Sequence, residues 1–183
     1  MTKADVTHHP GNAQHTGTGL KKLDDWLGDE EWDVIHFNWG LWDLCYRHPD
    51  AKTTGKRDKV RGTLTTPIEQ YEEQLERIVE RLKKTDAKLV WASTTPVPEN
   101  EPGRFAGDAE KYNRVAAQIM QKHEIIINDL HRFAATRLDE IQKPSDVHFT
   151  EEGSRSLASQ VSKVILQQLE TGCSASVTEE KRR

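Results

Sequence analysis

Asp146 and His148 stand two residues apart in the string KPSDVHFT, just ahead of an amphipathic run. A carboxylate close to a histidine holds the imidazole in one tautomer and stabilises the imidazolium formed when the ring takes a proton. Such a pair is the core of general-base chemistry, although D-x-H alone fits a capped loop histidine equally well. A second cluster is aromatic. Trp39 and Trp42, in the loop NWGLWD, could offer flat apolar faces to a substrate such as a sugar ring, whereas Trp32 reads as packing. The other histidines carry less. His8, His9 and His15 have no helical H-x-x-x-H spacing and no cysteine or carboxylate cluster beside them, so neither a metal nor a cofactor is expected.

Chemistry of this kind needs a scaffold, and the apolar periodicity supplies one. Leu20, Leu23 and Leu27 share a helical face in TGLKKLDDWL, with Gly28 as C-cap. Val34, Ile35 and Phe37 then form a short apolar run suited to a strand covered on both sides. Residues 39–65 read as a long polar loop containing the charge-rich stretch KTTGKRDKVRG. Long loops in compact domains are usually functional or mobile. The clearest helix is TTPIEQYEEQLERIVERLKK: Thr66, Pro67 and Glu69 look like a capping box, and Ile68, Tyr71, Leu75, Ile78, Val79 and Leu82 make one stripe. A strand (AKLVWAST), a Pro-rich loop, a helix from about Asp108 to His123 and a third strand (IIIN) follow. The last helix is capped by Thr150, with Leu157, Val161, Val164, Ile165 and Leu169 facing inward. Helices alternating with short strands imply βαβ units, a parallel sheet, and function in the loops at the strands' carboxyl ends.

Composition removes several classes of function. The 183 residues are a natural size for one domain, and a charged fraction of 31% against 34% hydrophobic suits a water-exposed surface. A net charge of -4 gives no electrostatic reason to expect nucleic acid or an anionic membrane. No apolar run approaches the roughly 20 residues of a membrane helix, and the N-terminus lacks the apolar core of a signal peptide. The chain as written therefore reads as cytoplasmic by default. Cys45 and Cys173 are far apart and have no C-x-x-C partner, so no disulfide framework or zinc site is expected.

The string SDVHFTEEGSRSLASQV resembles the last block of the SGNH/GDSL hydrolases. There an Asp and a His are followed by an aromatic or Pro, a small polar residue and a Gly opening the final helix. His148, Phe149, Thr150 and Gly153 match. The usual block sets the Asp three residues before the His, where this chain has Ser145, so Asp146 stands one residue nearer. VIHFNWGLWDL resembles the third block, Gly-x-Asn-Asp: Gly40 and Asp43 match, Trp42 occupies the place of the oxyanion-hole Asn, and Asn38 is a substitute donor. NAQHTGTGLKKL resembles the second block through Gly19, Leu20 and Leu23, which sets Ala13 where a backbone N–H meets the oxyanion, with Asn12 beside it.

The resemblance spans about residues 10 to 168. It implies a flavodoxin-like three-layer α/β/α fold with a parallel sheet in the order 2-1-3-4-5, and Ser-His-Asp hydrolysis of a small-molecule ester, such as an acetylated carbohydrate, without a cofactor. The first block, Gly-Asp-Ser on the first strand, does not occur in the chain. Ser93, Ser145 and Ser154 lie near the matched loops but lack the strand-to-helix setting of a nucleophile. The readable strands would be the third to fifth, and VTH near residue 6 the end of the second. Residues 1–170 then form an SGNH-like domain lacking an N-terminal central strand, followed by a disordered tail over 171–183. The unpaired edge at residues 33–38 should favour self-association. A non-catalytic binding module of the same fold is the alternative, and an unrelated α/β domain the third reading.

Overall fold

In a computed structural model the backbone is described over residues 4–180 and side chains as far as Thr171. The chain runs through α1 (Thr16–Leu27), β1 (Val34–Phe37), β2 (Tyr46–Arg47), β3 (Thr63–Leu64), α2 (Ile68–Leu82), β4 (Lys88–Ala92), α3 (Asp108–Lys122) and β5 (Ile126–Asn128). Two short helices, α4 (Leu130–Ala135) and α5 (Leu138–Ile141), lead to α6 (Glu151–Glu180). The three apolar runs form a parallel sheet in the order β1-β4-β5, with Val34 opposite Lys88 and Val90 opposite Ile126.

Alternation along the strands sends the two sets of side chains to different helices. Ile35, Phe37, Leu89 and Trp91 join the core built by Leu23 of α1, the stripe of α2, and Tyr112, Ala116, Ile119 and Met120 of α3. Tyr71, Leu75, Ile78, Val79 and Leu82 are almost wholly withdrawn from water. At roughly 1.5–3 kcal/mol for each large apolar side chain, this stripe is the main anchor of the α2 face. On the opposite face α6 meets the sheet: Gln160 Nε2 donates to Asn128 Oδ1 at 3.2 Å, and Asn128 Nδ2 lies 3.3 Å from His36 Nε2.

Several sequence expectations change. The capping box at Thr66 and Glu69 does not form; α2 starts at Ile68 with Pro67 as its N-cap and no side-chain cap. Thr66 is buried and otherwise employed, donating its N–H to Asp43 O and accepting Tyr112 Oη–H at 2.5 Å. The 39–65 loop holds the antiparallel β2–β3 pair and buries Leu44, Cys45 and Ala51. Strands of two residues are too short to announce themselves by periodicity. VTH near residue 6 is irregular backbone rather than strand. Residues 181–183, and side chains beyond Thr171, which include Cys173 and most of the tail expected to be disordered, lie outside the described part. The α6 backbone is helical to Glu180.

The edge of β1 away from β4 pairs with no described strand. Val34, Ile35 and His36 are only half-buried, as are Leu157, Val161, Val164, Ile165 and Leu169 of α6. A hollow of about 560 Å³ runs along this edge, walled by β1, Trp26 of α1, Trp32 and residues 7–9 and 11–13. His8 stacks on His9 and His9 on Trp26, with centroids 4.6 and 4.2 Å apart.

Candidate active site

The segment between α5 and α6 folds back on itself. Gln142 bridges Phe149, Lys143 N–H donates to His148 O at 2.9 Å, and Asp146 N–H to Lys143 O at 3.2 Å. Ser145 takes a left-handed conformation (φ 57°), which reverses the chain within one residue. Asp146 Oδ1 thereby comes within 2.7 Å of His148 Nδ1 and also accepts the His148 N–H. The two-residue spacing is closed by the turn. The far nitrogen, Nε2, meets no described group, and the ring is 72% exposed. Partial burial works to raise the Asp146 carboxyl, but the His148 bonds and Arg57, 3.6 Å away, hold it below the usual carboxylate range.

Behind this loop α6 is fixed by its first turn. Thr150 Oγ1 accepts Gly153 N–H at 3.0 Å, the cap expected from the sequence. A Cβ on Gly153 would lie 2.1 Å from Ile141 O, so the close approach of α6 to α5 requires the glycine.

His148 opens onto a cleft of about 460 Å³ that Asn12, Ala13, Asn38, Gly40 and Trp42 also line. Asn38 donates to Ala92 O at 2.6 Å, which pins the end of β1 to β4 and leaves its second N–H. The N–H groups of Asn12 and Ala13 make no hydrogen bond among the described residues, and Asn12 Oδ1 accepts Gln14 N–H at 2.7 Å. Gly40 sits against Thr94, whose Oγ1 would be 2.0 Å from a Cβ at that position.

Asp43 does not line this cleft. It is wholly buried, and its Oδ1 accepts Thr16 N–H at 3.0 Å and Thr16 Oγ1–H at 2.5 Å. Burial raises the carboxyl's pKa despite those bonds. Its position makes it a brace that ties the start of α1 to the loop after β1. Trp39 is likewise mostly core, 5% exposed, and its indole donates to Ala13 O at 3.3 Å, holding the Ala13 segment at the cleft. Trp42 keeps an exposed part, but the Arg47 guanidinium lies over its ring at 4.0 Å.

Three arginines absent from the sequence reading line the same cleft: Arg47, Arg57 and Arg104. No local signal marks them beyond the charge-rich stretch around Arg57, because they converge from distant loops. The serines do not converge. Ser93 donates to Asp129 Oδ1 and accepts His131 N–H, and among the described residues Thr54 is the only hydroxyl-bearing residue lining the cleft.

A model of the GDSL-like Lipase/Acylhydrolase family matches residues 4–155. The chain belongs to this family. No curated protein matches it in sequence. Among solved structures, a lipase/acylhydrolase from Enterococcus faecalis aligns with a TM-score of 0.64 at 17% identity, over 84% of this chain and 71% of that one. An acetyl xylan esterase aligns with 0.64 at 15%, over 84% and 77%. The acetylxylan esterase Axe2 from Geobacillus stearothermophilus gives 0.64 at 16%, over 85% and 68%. At these identities the likeness speaks for the fold: this GDSL-like chain has the α/β architecture with a parallel sheet. No described helix is long and apolar enough to cross a membrane.

Proposed function

We propose that this chain carries the His–Asp half of an ester hydrolase acting on a small acyl ester such as an acetylated carbohydrate, with the nucleophilic Ser supplied from outside the chain. The observation that carries the reading is the 2.7 Å His148–Asp146 pair, with His148 lining a cleft together with Asn12 and Ala13, whose N–H groups are uncommitted among the described residues. Family membership and esterase neighbours support it.

The open edge of β1 supports the origin of the Ser. The hollow along that edge and the cleft share Asn12, Ala13, Asn38 and Trp39. A strand laid parallel to β1 in the hollow would end where β1 ends, beside the cleft. Its last residue would then reach the space before His148. In the reaction, Ser Oγ attacks the acyl carbonyl while His148 Nε2 takes the Ser proton and Asp146 stabilises the imidazolium. The oxyanion is met by the Ala13 N–H and by a donor from Asn12, Asn38 or the Trp42 indole. Collapse breaks the ester C–O bond, and His148 returns the proton to the departing alcohol. Water then repeats the sequence on the acyl-Ser, releasing the acid.

The test uses the chain extended by whatever in-frame segment the DNA upstream of Met1 encodes. It should hydrolyse 4-nitrophenyl acetate, and His148→Ala should lower kcat by about 10³-fold or more. Inactivity, or activity unaffected by His148→Ala, sinks the proposal. A second reading, a binding protein of the same fold, is favoured by the lack of any Ser in the described cleft and by Trp42 at the Asn place. Reading the DNA upstream of Met1 separates them: an in-frame strand ending in Gly-Asp-Ser supports the enzyme, a stop codon and promoter the binding protein.

A further inference from the structure

The cleft beside His148 has an unusual charge balance. Its lining includes Arg47, Arg57 and Arg104 and, among the described residues, no Asp or Glu. Two of these arginines are fixed from behind. Glu101, with no exposed surface, accepts Arg57 Nη1 and Arg104 Nη1 on the same Oε1, each at 2.8 Å, while its Oε2 accepts Gly103 N–H at 2.7 Å. Arg104 Nε also donates to Leu41 O at 2.6 Å, and Arg57 lies 3.6 Å from Asp146. One carboxylate is thus shared by two guanidiniums, and a second is already engaged by His148.

Arg47 has no carboxylate partner among the described residues. It rests on Trp42, donates from Nη1 to Gly55 O, and its Nε is buried with no acceptor. Among the described residues, three guanidiniums therefore face two carboxylates, Glu101 and Asp146, which leaves one positive charge unbalanced in the lining of the cleft. A guanidinium held over an indole, with its Cζ 4.0 Å from the ring centroid, has its orientation restricted and can take a planar or tetrahedral oxyanion through its free N–H groups. One surplus charge suits a monoanion better than a dianion.

We infer that the cleft selects an ester whose sugar or acyl part carries a monoanionic group, a carboxylate or a sulfate monoester, seated on the Arg47–Trp42 pair beside His148. This rests on the ester-hydrolase reading for its chemistry, but the recognition is a property of this chain alone. Trp42 then serves as the platform for Arg47 rather than as a bare face for a neutral sugar.

Binding to the 183-residue chain tests it without needing turnover. Titrations followed by tryptophan fluorescence or calorimetry compare methyl glucuronoside and glucose 6-sulfate with neutral methyl glucoside and with glucose 6-phosphate. At least one monoanion should bind about tenfold or more tighter than methyl glucoside. The glucuronoside and sulfate arms tell which group the site takes. Arg47→Gln should abolish that preference, and Arg47→Lys should restore only part of it. In the unaltered chain the preference should shrink with rising salt, a check that does not depend on any variant folding. Equal affinity for methyl glucoside and the monoanions, tighter binding of the phosphate, a salt-independent preference, or an unchanged preference in Arg47→Gln would each overturn the inference. Intact monoanion selectivity with no hydrolysis by the extended chain would instead defeat the hydrolase reading and leave this one standing.

Discussion

Replacing Glu101 by Gln exposes how the arginine wall of the cleft is built. Both Glu101 oxygens are committed, Oε1 to Arg57 and Arg104 and Oε2 to the Gly103 N–H. A glutamine amide has one oxygen and one nitrogen. Whichever way it is turned, an NH₂ faces a donor at 2.7–2.8 Å. The substitution also removes the one negative charge that touches Arg104 among the described residues; the Arg104 side chain is 4% exposed. Breaking a buried ion pair by removing one partner costs about 3–5 kcal/mol, because a charge is left buried and uncompensated. For a chain of this size that is a fall in Tm of about 6–20 °C. Urea unfolding followed by circular dichroism reads it as a shift in midpoint. In a cycle with Arg104→Met, the double variant should lose several kcal/mol less than the two single losses added, since the second change removes the charge the first left stranded. A loss under about 1 kcal/mol for Glu101→Gln, or strict additivity with Arg104→Met, would refute a tightly desolvated centre.

Four further outcomes are expected. Gly40→Ala should cost at least about 2 kcal/mol through overpacking and backbone strain, as a Cβ would lie 2.0 Å from Thr94 Oγ1; Thr94→Ala should recover part of it, and a full additive loss would show the contact is not the cause. Asp43, whose pKa burial raises in the fold, favours the protonated native state, so its cost is absent below the unfolded value near 4 and grows as pH rises toward the folded value. Unfolding of Asp43→Asn and the unaltered chain at pH 4 and 7 should therefore show the unaltered chain gaining relative stability at the lower pH, and no change would contradict this. Asp146 has the opposite sign, its stabilisation present above about pH 4 and lost as pH falls through its lowered value, so Asp146→Asn should narrow its deficit in acid. Finally, the unpaired edge at Val34–Phe37 should make the chain self-associate, seen as concentration-dependent sedimentation; a sharply unfolding monomer of ordinary stability would count against it.

What the sequence revealed follows the range of the interactions involved. The α2 stripe, the three apolar strands, the Gly28 cap (N–H to Asp24 O at 3.0 Å) and the Thr150 cap are local patterns, and each is found where its period or cap residue placed it. The Asp146–His148 contact was legible as a pair, while its closure depends on a left-handed Ser145 that residue type does not announce. Asp43 shows the opposite case. Its place in a motif pointed to the cleft, yet only the tertiary fold shows that Thr16, 27 residues earlier, claims its carboxylate. The same holds for Trp39, whose burial depends on α1 and α2 closing over it.

The arginines carry this reasoning furthest. Arg47, Arg57 and Arg104 sit in loops that look merely polar, and nothing in their spacing joins them. Arg57 and Arg104 meet because Glu101 is wholly buried and its Oε1 accepts from both guanidiniums. A buried acid is therefore the organising element of a cationic surface. Its cost is met only if both guanidiniums are held at fixed angles, and that rigidity lines up one wall of the cleft beside His148. Arg47 stands outside this arrangement, supported by an indole instead of a carboxylate, and so keeps its charge for whatever enters. The proposed catalytic pair and the arginines thus share a cleft but not a support: the Ser145 turn sets Asp146 and His148, and Glu101 sets Arg57 and Arg104. The one described link between them is the 3.6 Å approach of Arg57 to Asp146. Through that contact, an anion drawn toward the arginines would compete with Asp146 for Arg57 and weaken one of the influences that hold the Asp146 carboxyl low.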